Sequence, residues 1–268
     1  MESARTSPFC WPKGALRLLP WICSLPPLSL VSSGDRIAVL QCSNTLLGPN
    51  IHHFTCDITS PEAVSNAAAS VRSTLGHPTI LINNAGIANE STILKSTDTS
   101  VERIFAVNTL SHFRLVREFL PSMVTANHGT VVTVASCAAV LTAPRIVDYS
   151  CTKAAALAFH EGLAGELVTQ YDAPKVRTIC VCPSCVQTNM TKTIEVPDKF
   201  LLPMQKVETV AEKVVQKILS DSSGVLVIPE AASWVAWPLR MMPMWCRSSF
   251  LSICCLPPFQ RFLSFEII

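Results

Sequence analysis

Short apolar runs alternate along this chain with longer stretches in which apolar residues recur every three or four positions. The runs occupy residues 36–41, 51–56, 79–82, 130–135, 175–182 and 225–228. Several are continuous rather than alternating, the pattern of parallel strands covered on both faces. Between them the spacing predicts helices over 60–75, 100–124, 148–170 and 207–220. The first opens on Ser60-Pro61-Glu62, which supplies an N-cap hydroxyl, a proline at the first helical position and an acid in the first turn. Strands alternating with helices predict an α/β fold built on a doubly wound parallel sheet.

Both ends break the rhythm, dividing the chain into an atypical segment over 1–34, an α/β domain over 35–230 and an apolar tail over 231–268. Pro8, Pro12, Pro20, Pro26 and Pro27 exclude a long regular helix or an interior strand through them. Residues 18–31 follow Arg5, Lys13 and Arg17 in a leader-like pattern that the prolines interrupt. The tail is rich in Trp, Met and Cys, with Pro238, Pro243, Pro257 and Pro258 expected to interrupt it. Neither end holds an unbroken apolar span of about 20 residues, so no transmembrane helix is expected. Trp234, Trp237, Met241, Met242, Met244 and Trp245, with Arg240, Arg247 and Arg261, suit either a membrane surface or a lid packed on the core.

Composition narrows the function classes. A chain of 268 residues that is 49% hydrophobic and 15% charged is too apolar for general disorder. A net charge of +2 without a basic block gives no reason to expect nucleic acid. The 12 cysteines are scattered through strands and helices, which suits free thiols in a reducing compartment. Cys180, Cys182 and Cys185 lack a nearby second ligand pair, and no metal site is expected.

In an open α/β sheet, ligands bind outside the carboxyl ends of the strands. Asp57, Asn83-Asn84-Ala85-Gly86, Ser136 and Pro183-Ser184 each follow a predicted strand. Any one is an ordinary turn; together they define a candidate cleft. Tyr149 and Lys153 lie one turn apart on one helix face, shortly after Ser136. A phenol with a pKa of about 10 is a poor acid–base catalyst at neutral pH. A neighbouring ammonium would lower that value, and the Ser136 hydroxyl could hold an oxygen on which charge develops. Asn108 falls within an apolar stripe of Val101, Ile104, Phe105, Leu115, Val116 and Phe119, so its amide needs buried partners. Spacing alone fits an ordinary satisfied core asparagine as well as a functional one.

Asn83-Asn84-Ala85-Gly86, Asn108, Ser136, Tyr149-Ser150-Cys151-Thr152-Lys153 and Pro183 through Thr188, in this order, resemble the successive motifs of the short-chain dehydrogenase/reductase family. The resemblance covers residues 36–229 and implies a Rossmann-like fold binding NADP or NAD. It makes Tyr149 the general acid/base, with Lys153 holding the nicotinamide ribose and lowering the tyrosine pKa. Ser136 would position the substrate oxygen and Asn108 would anchor a water of the proton relay. Asp57 and Ile58 would meet the adenine, Asn84 and Gly86 would line the cofactor together with Asn108, Tyr149 and Lys153, and Val186 and Thr188 would reach the nicotinamide amide. Residues 132–136, 148–153 and His160-Glu161-Gly162-Leu163 are most similar to the retinol and hydroxysteroid dehydrogenase-like branch, including its fungal members. That branch implies an apolar alcohol or carbonyl substrate, contact with an endoplasmic-reticulum or lipid-droplet surface, otherwise a cytoplasmic location, and a homodimer.

One part of the family pattern is missing. Its members open with a strand and a glycine-rich turn entering a helix, where backbone N–H groups meet the cofactor phosphates. Of nine glycines here, only Gly14 and Gly34 precede residue 36. Residues 28–31 could extend, but a parallel crossover needs at least about 10–12 residues and only four are available. The expected sheet therefore lacks its first strand and helix, or a proline-broken segment fills that place badly. Gln41 stands where the family often grips the adenine ribose with an acid, leaving NAD and NADP open, and Ser184 replaces a common glycine. A catalytically silent relative that binds a membrane or a partner is the competing expectation.

Overall fold

A computed structural model describes residues 28–33, 36–41, 51–188, 191, 204–247 and 249, with backbone alone for 28–33, 36–41 and 51. The expectations placed on residues 1–27 and on Arg261 lie outside the described residues. Seven strands make one sheet: β1 (Leu28–Ser33), β2 (Arg36–Gln41), β3 (Ile51–Thr55), β4 (Ile80–Asn83), β5 (Gly129–Val134), β6 (Val176–Pro183) and β7 (Gly224–Ile228). Their spatial order is β3-β2-β1-β4-β5-β6-β7. β2 pairs with β3, and β4 through β7 pair successively, all in parallel. The doubly wound α/β architecture is as the sequence predicts, and the predicted strands fall within a residue or two of the observed ones.

The centre of the sheet differs from expectation. The first strand is present, but it runs antiparallel to both neighbours, pairing Leu28 through Ser33 with Gln41 through Arg36 and Ser29 through Ser32 with Asn83 through Ile80. Only Gly34 and Asp35 separate β1 from β2, a length that suits a hairpin and forbids a parallel crossover. The backbone gap is thus filled by reversing the strand, and the crossover helix has no residues to form from. Reversal also exchanges the ends of the strand: Leu28 and Ser29, not Ser33, lie at the carboxyl edge of the parallel strands.

Six helices pack on this sheet among the described residues: α1 (Pro61–Leu75), α2 (Asp98–Phe105), α3 (Ser111–Ala126), α4 (Val147–Thr169), α5 (Val207–Leu219) and α6 (Ala231–Met241). Ser60 caps α1 as its sequence suggests, its Oγ accepting from the Ala63 N–H at 3.2 Å. The helix predicted over 100–124 is broken into α2 and α3 by a π-helical turn at Ala106–Leu110, which holds Asn108. Such a turn inserts one residue without disturbing the apolar period on either side, so spacing gives no sign of it. Val64, Val71, Leu115, Phe119 and Met123 form one core with Leu81 and Val131 of the sheet. A smaller cluster joins Ala156 and Leu157 of α4 to Cys180, Cys182 and Ala236. α6 corrects the expected break at Pro238: the proline sits within the helix, whose buried side is limited to Ala232 and Ala236.

Candidate active site

With six strands parallel, their carboxyl ends share one edge, and the predicted site residues collect there. β4 ends at Asn83 and leads into Asn84, Ala85 and Gly86; β5 leads into Ser136; β6 ends at Pro183. Ser136 caps a short 3-10 turn, accepting from the Ala138 N–H at 3.1 Å and donating to the Pro183 carbonyl at 3.4 Å. Its hydroxyl also lies near the Tyr149 phenol and favours the ionised form. Lys153, one turn along α4, is buried and donates to the Val134 carbonyl at 2.8 Å. Its Nζ lies 5.7 Å from the centre of the Tyr149 ring.

Asn108 is fully buried and its side chain fully used. Its Oδ1 accepts from the Ile87 N–H at 2.8 Å, while Nδ2 donates to the Ile87 carbonyl at 2.9 Å and to Thr152 Oγ1 at 3.0 Å. Thr152 in turn donates to the Tyr149 carbonyl at 2.7 Å. The amide therefore ties the turn after β4 to the helix that carries Tyr149 and Lys153. Thr152 escaped the sequence reading because a threonine next to a lysine carries no signal of its own. His112 escaped too: it is buried with neither ring nitrogen bonded, and burial together with the Lys153 charge pushes its pKa down to about 3.

The electrostatics correct one expectation. Burial raises the Tyr149 pKa to about 12 rather than leaving it lowered, with the Ser136 hydroxyl acting the other way. The thiols of Cys137 and Cys185 beside the phenol push in the same direction as burial. Cys137 itself is pushed up to about 12, chiefly by burial, and stays a neutral thiol. Lys153 moves from 10.5 down to about 8 because burial disfavours its charge. Between those values the unfolded chain holds more protons than the folded one, so stability rises with pH across that window and carries the full cost below it. That cost is on the order of 3 kcal/mol, against about 1 kcal/mol for the bond to Val134. Lys153→Met should therefore be more stable than the parent at pH 7, with the advantage shrinking as pH rises from about 8 to about 10.5. Urea denaturation across that range measures it, and a pH-independent difference would contradict the assignment.

The remaining predicted residues divide. Asp57, two residues beyond β3, is exposed, and its Oδ1 accepts from Thr59 N–H and Oγ1 at 2.9 and 2.7 Å, which lowers its pKa. Ile58 is a correction in part: its side chain belongs to the core and its carbonyl accepts from Arg114 at 3.3 Å, so only its N–H is left for a ligand. Asn84 donates its N–H to the Ile82 carbonyl at 3.1 Å. Gly86 faces α4 so closely that an added Cβ would lie 3.4 Å from Lys153 Nζ and 3.6 Å from Asn108 Oδ1. Val186 bridges to Gln205, and its carbonyl accepts from Thr191 Oγ1 at 2.6 Å. The Thr188 N–H donates to that same hydroxyl at 3.0 Å.

Asn83 has the opposite character. It is completely buried, and neither end of its amide finds a partner. Thr133, its neighbour on β5, also has an unbonded buried hydroxyl. Both lie at the carboxyl end of the sheet, where the reversed β1 places Ser29 opposite Asn83.

Residues 30–198, more than half of the chain, match the short chain dehydrogenase family. The chain belongs to that family. It is similar to dehydrogenase RED3 of Cochliobolus heterostrophus, 50% identical over 129 residues, which cover 48% of this chain and 66% of the relative. Human estradiol 17-beta-dehydrogenase 11 is 34% identical over 197 residues, covering 74% of this chain and 64% of that one. This short chain dehydrogenase thus spans no more than about two thirds of the curated relatives it matches. Among solved structures, a short chain dehydrogenase from Burkholderia cenocepacia in complex with NADP aligns with a TM-score of 0.62 at 26% identity, covering 78% of this chain and 81% of the other. A short-chain dehydrogenase from Streptomyces avermitilis, at 21% identity and a TM-score of 0.61, shares the fold, covering 71% of this chain and 75% of that one.

Proposed function

We propose that the site is that of an oxidoreductase acting on an apolar alcohol or carbonyl with NADP or NAD. The observation that carries this reading is the convergence of Ser136, Tyr149 and Lys153 at one strand edge, with Asn108 and Thr152 bracing them. The residues fit one end of a dinucleotide. Gly86 leaves room beside Lys153 Nζ, where a ribose would be held, and Val186 and Thr188, in the segment that follows β6, would meet a carboxamide. They do not fit the other end: no helix follows β1, and Pro26 and Pro27, just before Leu28, have no N–H to offer a phosphate. Asn84 would line the cofactor, and Asp57 with the Ile58 N–H would face its adenine.

A bound nicotinamide would supply or accept the hydride. The chain's own residues handle the proton and the oxygen. Tyr149 is protonated at neutral pH and donates its phenolic proton to a carbonyl oxygen as charge develops there. Ser136 holds the same oxygen. Lys153 would hold the nicotinamide ribose beside the phenol, while the Asn108–Thr152 pair fixes the helix turn that carries both. Mixing the chain with NADPH and a long-chain aldehyde should give slow, Tyr149-dependent cofactor oxidation. No turnover at millimolar cofactor would favour the second reading, a silent relative, for which the reversed β1 and the unbonded Asn83 are the specific support.

The relatives' substrates come to this chain only as a class: an apolar alcohol or carbonyl of the hydroxysteroid, retinoid or lipid type. A surface location follows the same line. Among the described residues no helix is long and apolar enough to cross a membrane. Trp234, Met241, Met244 and Trp245 are nevertheless exposed, Trp234 at 82% and Met241 at 89%, as is Arg240. Their exposure supports peripheral contact with a membrane or lipid droplet over a lid packed on the core. Trp234→Ser/Trp245→Ser should lose at least half of its co-sedimentation with anionic vesicles while melting normally. A parent chain that stays in the supernatant rules this contact out.

A further inference from the structure

α4 begins without an ordinary cap. Its N-cap residue is Ile146, whose side chain cannot accept from the free N–H groups of the first turn. Asp148 takes over from inside the helix, its Oδ1 accepting from the Tyr149 N–H at 2.7 Å. Its second oxygen lies 3.4 Å from Asn89 Nδ2. The same amide donates to Ser100 Oγ of α2 at 2.7 Å. Beyond Asn89 the two segments stay joined: the Ser91 N–H donates to the Arg145 carbonyl at 2.9 Å, and Arg145 Nε pairs with Glu90 Oε1 at 3.2 Å. Arg145 has φ of 68°, a left-handed conformation that a branch-bearing residue keeps only when its surroundings hold it. Two residues separate Gly86 from Asn89 and none separates Asp148 from Tyr149, so this clamp joins both walls of the site at their roots.

We infer that Asp148, oriented by Asn89, is a positioning residue that fixes the buried pose of the Tyr149 phenol. The direction of a side chain at the start of a helix is set by the backbone of the first turn, and that turn frays unless its N–H groups are bonded. With Asp148 gone, the Tyr149 N–H loses its side-chain partner, and only the Thr152 bond to the Tyr149 carbonyl still ties a side chain to that residue's backbone. The phenol then moves away from Ser136, Cys137, Cys185 and Lys153, the groups that face it, and toward water. The kinetic consequence rests on Tyr149 being the proton donor; the structural consequence does not.

Only two tyrosines are present, and Tyr171 is exposed with its hydroxyl donating to Glu166 at 3.0 Å. Phenolate absorbance, to which thiols and indoles do not contribute, therefore reports on two sites. In the parent chain Tyr149 ionises only at about pH 12. Asp148→Ala should bring one phenol down by roughly one to two pH units, toward its ordinary value. Asp148→Asn, which keeps an acceptor oxygen, should retain the late titration, and Tyr149→Phe should abolish the shift between parent and alanine variant. Asn89→Ala, which leaves Asp148 in place, should give a smaller shift in the same direction and serves if Asp148→Ala does not fold. In turnover, kcat should fall about ten- to hundredfold in Asp148→Ala with little change in KM, and recover in Asp148→Asn. A lower melting temperature with the late phenol unmoved in both alanine variants makes Asp148 a helix cap alone and overturns the inference. A shifted phenol in a chain without any turnover upholds the positioning and defeats the oxidoreductase reading instead.

Discussion

Replacing residues 1–34 with a strand, glycine-rich turn and helix should turn a weak dinucleotide binder into one that binds in the micromolar range. The reason lies at the carboxyl end of β4. In the reversed β1, Leu28 and Ser29 occupy the edge at which a parallel strand would hand over to a turn of free N–H groups. Hydrogen bonds to charged groups contribute about 1.5–3 kcal/mol each. Losing two such donors to a pyrophosphate weakens binding by roughly 100-fold to 10,000-fold. The replacement should also supply partners for Asn83, whose buried unbonded amide carries a cost of about 1–3 kcal/mol. Titration of parent and chimera with NADH and NADPH, followed by thermal melting of each, measures both effects. The chimera should melt cooperatively and at higher temperature. If the parent chain binds either cofactor as tightly as the chimera, reversal of β1 does not harm the phosphate site and the explanation fails.

The sequence made most of this fold legible because its signals are local. Several of the six parallel strands are near-continuous apolar runs, Ser60-Pro61-Glu62 marks the start of α1, and the helix face shared by Tyr149 and Lys153 follows from their spacing. The four residues available between residues 28–31 and Arg36 already excluded a parallel connection. What spacing could not say is that the vacant central slot would be filled backwards, since β1 depends on pairing with β4 some 50 residues away. The π turn at Asn108 was illegible for a related reason: the apolar residues keep their 3–4 spacing on each side of it. Electrostatics was the least readable layer. Tyr149 and Lys153 sit close together as expected, yet both are buried, and desolvation is the largest influence on each, raising the phenol's pKa and lowering the ammonium's. Thr152, Asn89 and Asp148 are common polar residues whose roles exist only through partners distant in sequence.

Tyr149→Phe should reduce turnover of an apolar aldehyde by about 100-fold to 10,000-fold, the range that a positioned acid–base group contributes. The variant removes a single oxygen. Ser136 keeps its bonds to the Ala138 N–H and the Pro183 carbonyl, and Lys153 keeps Val134, so the fold has little reason to respond. The pH dependence separates this role from mere packing. In the free chain the phenol ionises at about 12, well above the ordinary 10, so between those values the folded chain holds more protons than the unfolded one. Stability of the parent should therefore fall as pH rises from about 10 to about 12, and Tyr149→Phe should lack that part of the decline. The same raised value keeps the proton donor loaded at neutral pH, which suits carbonyl reduction; alcohol oxidation needs the phenolate and should gain rate as pH rises. Initial rates in both directions across that range, beside urea denaturation of parent and variant, test the two halves together. Parent-like reduction rates in Tyr149→Phe would show that the proton comes from elsewhere. A pH-independent oxidation rate would show that the phenol is not the group that accepts it.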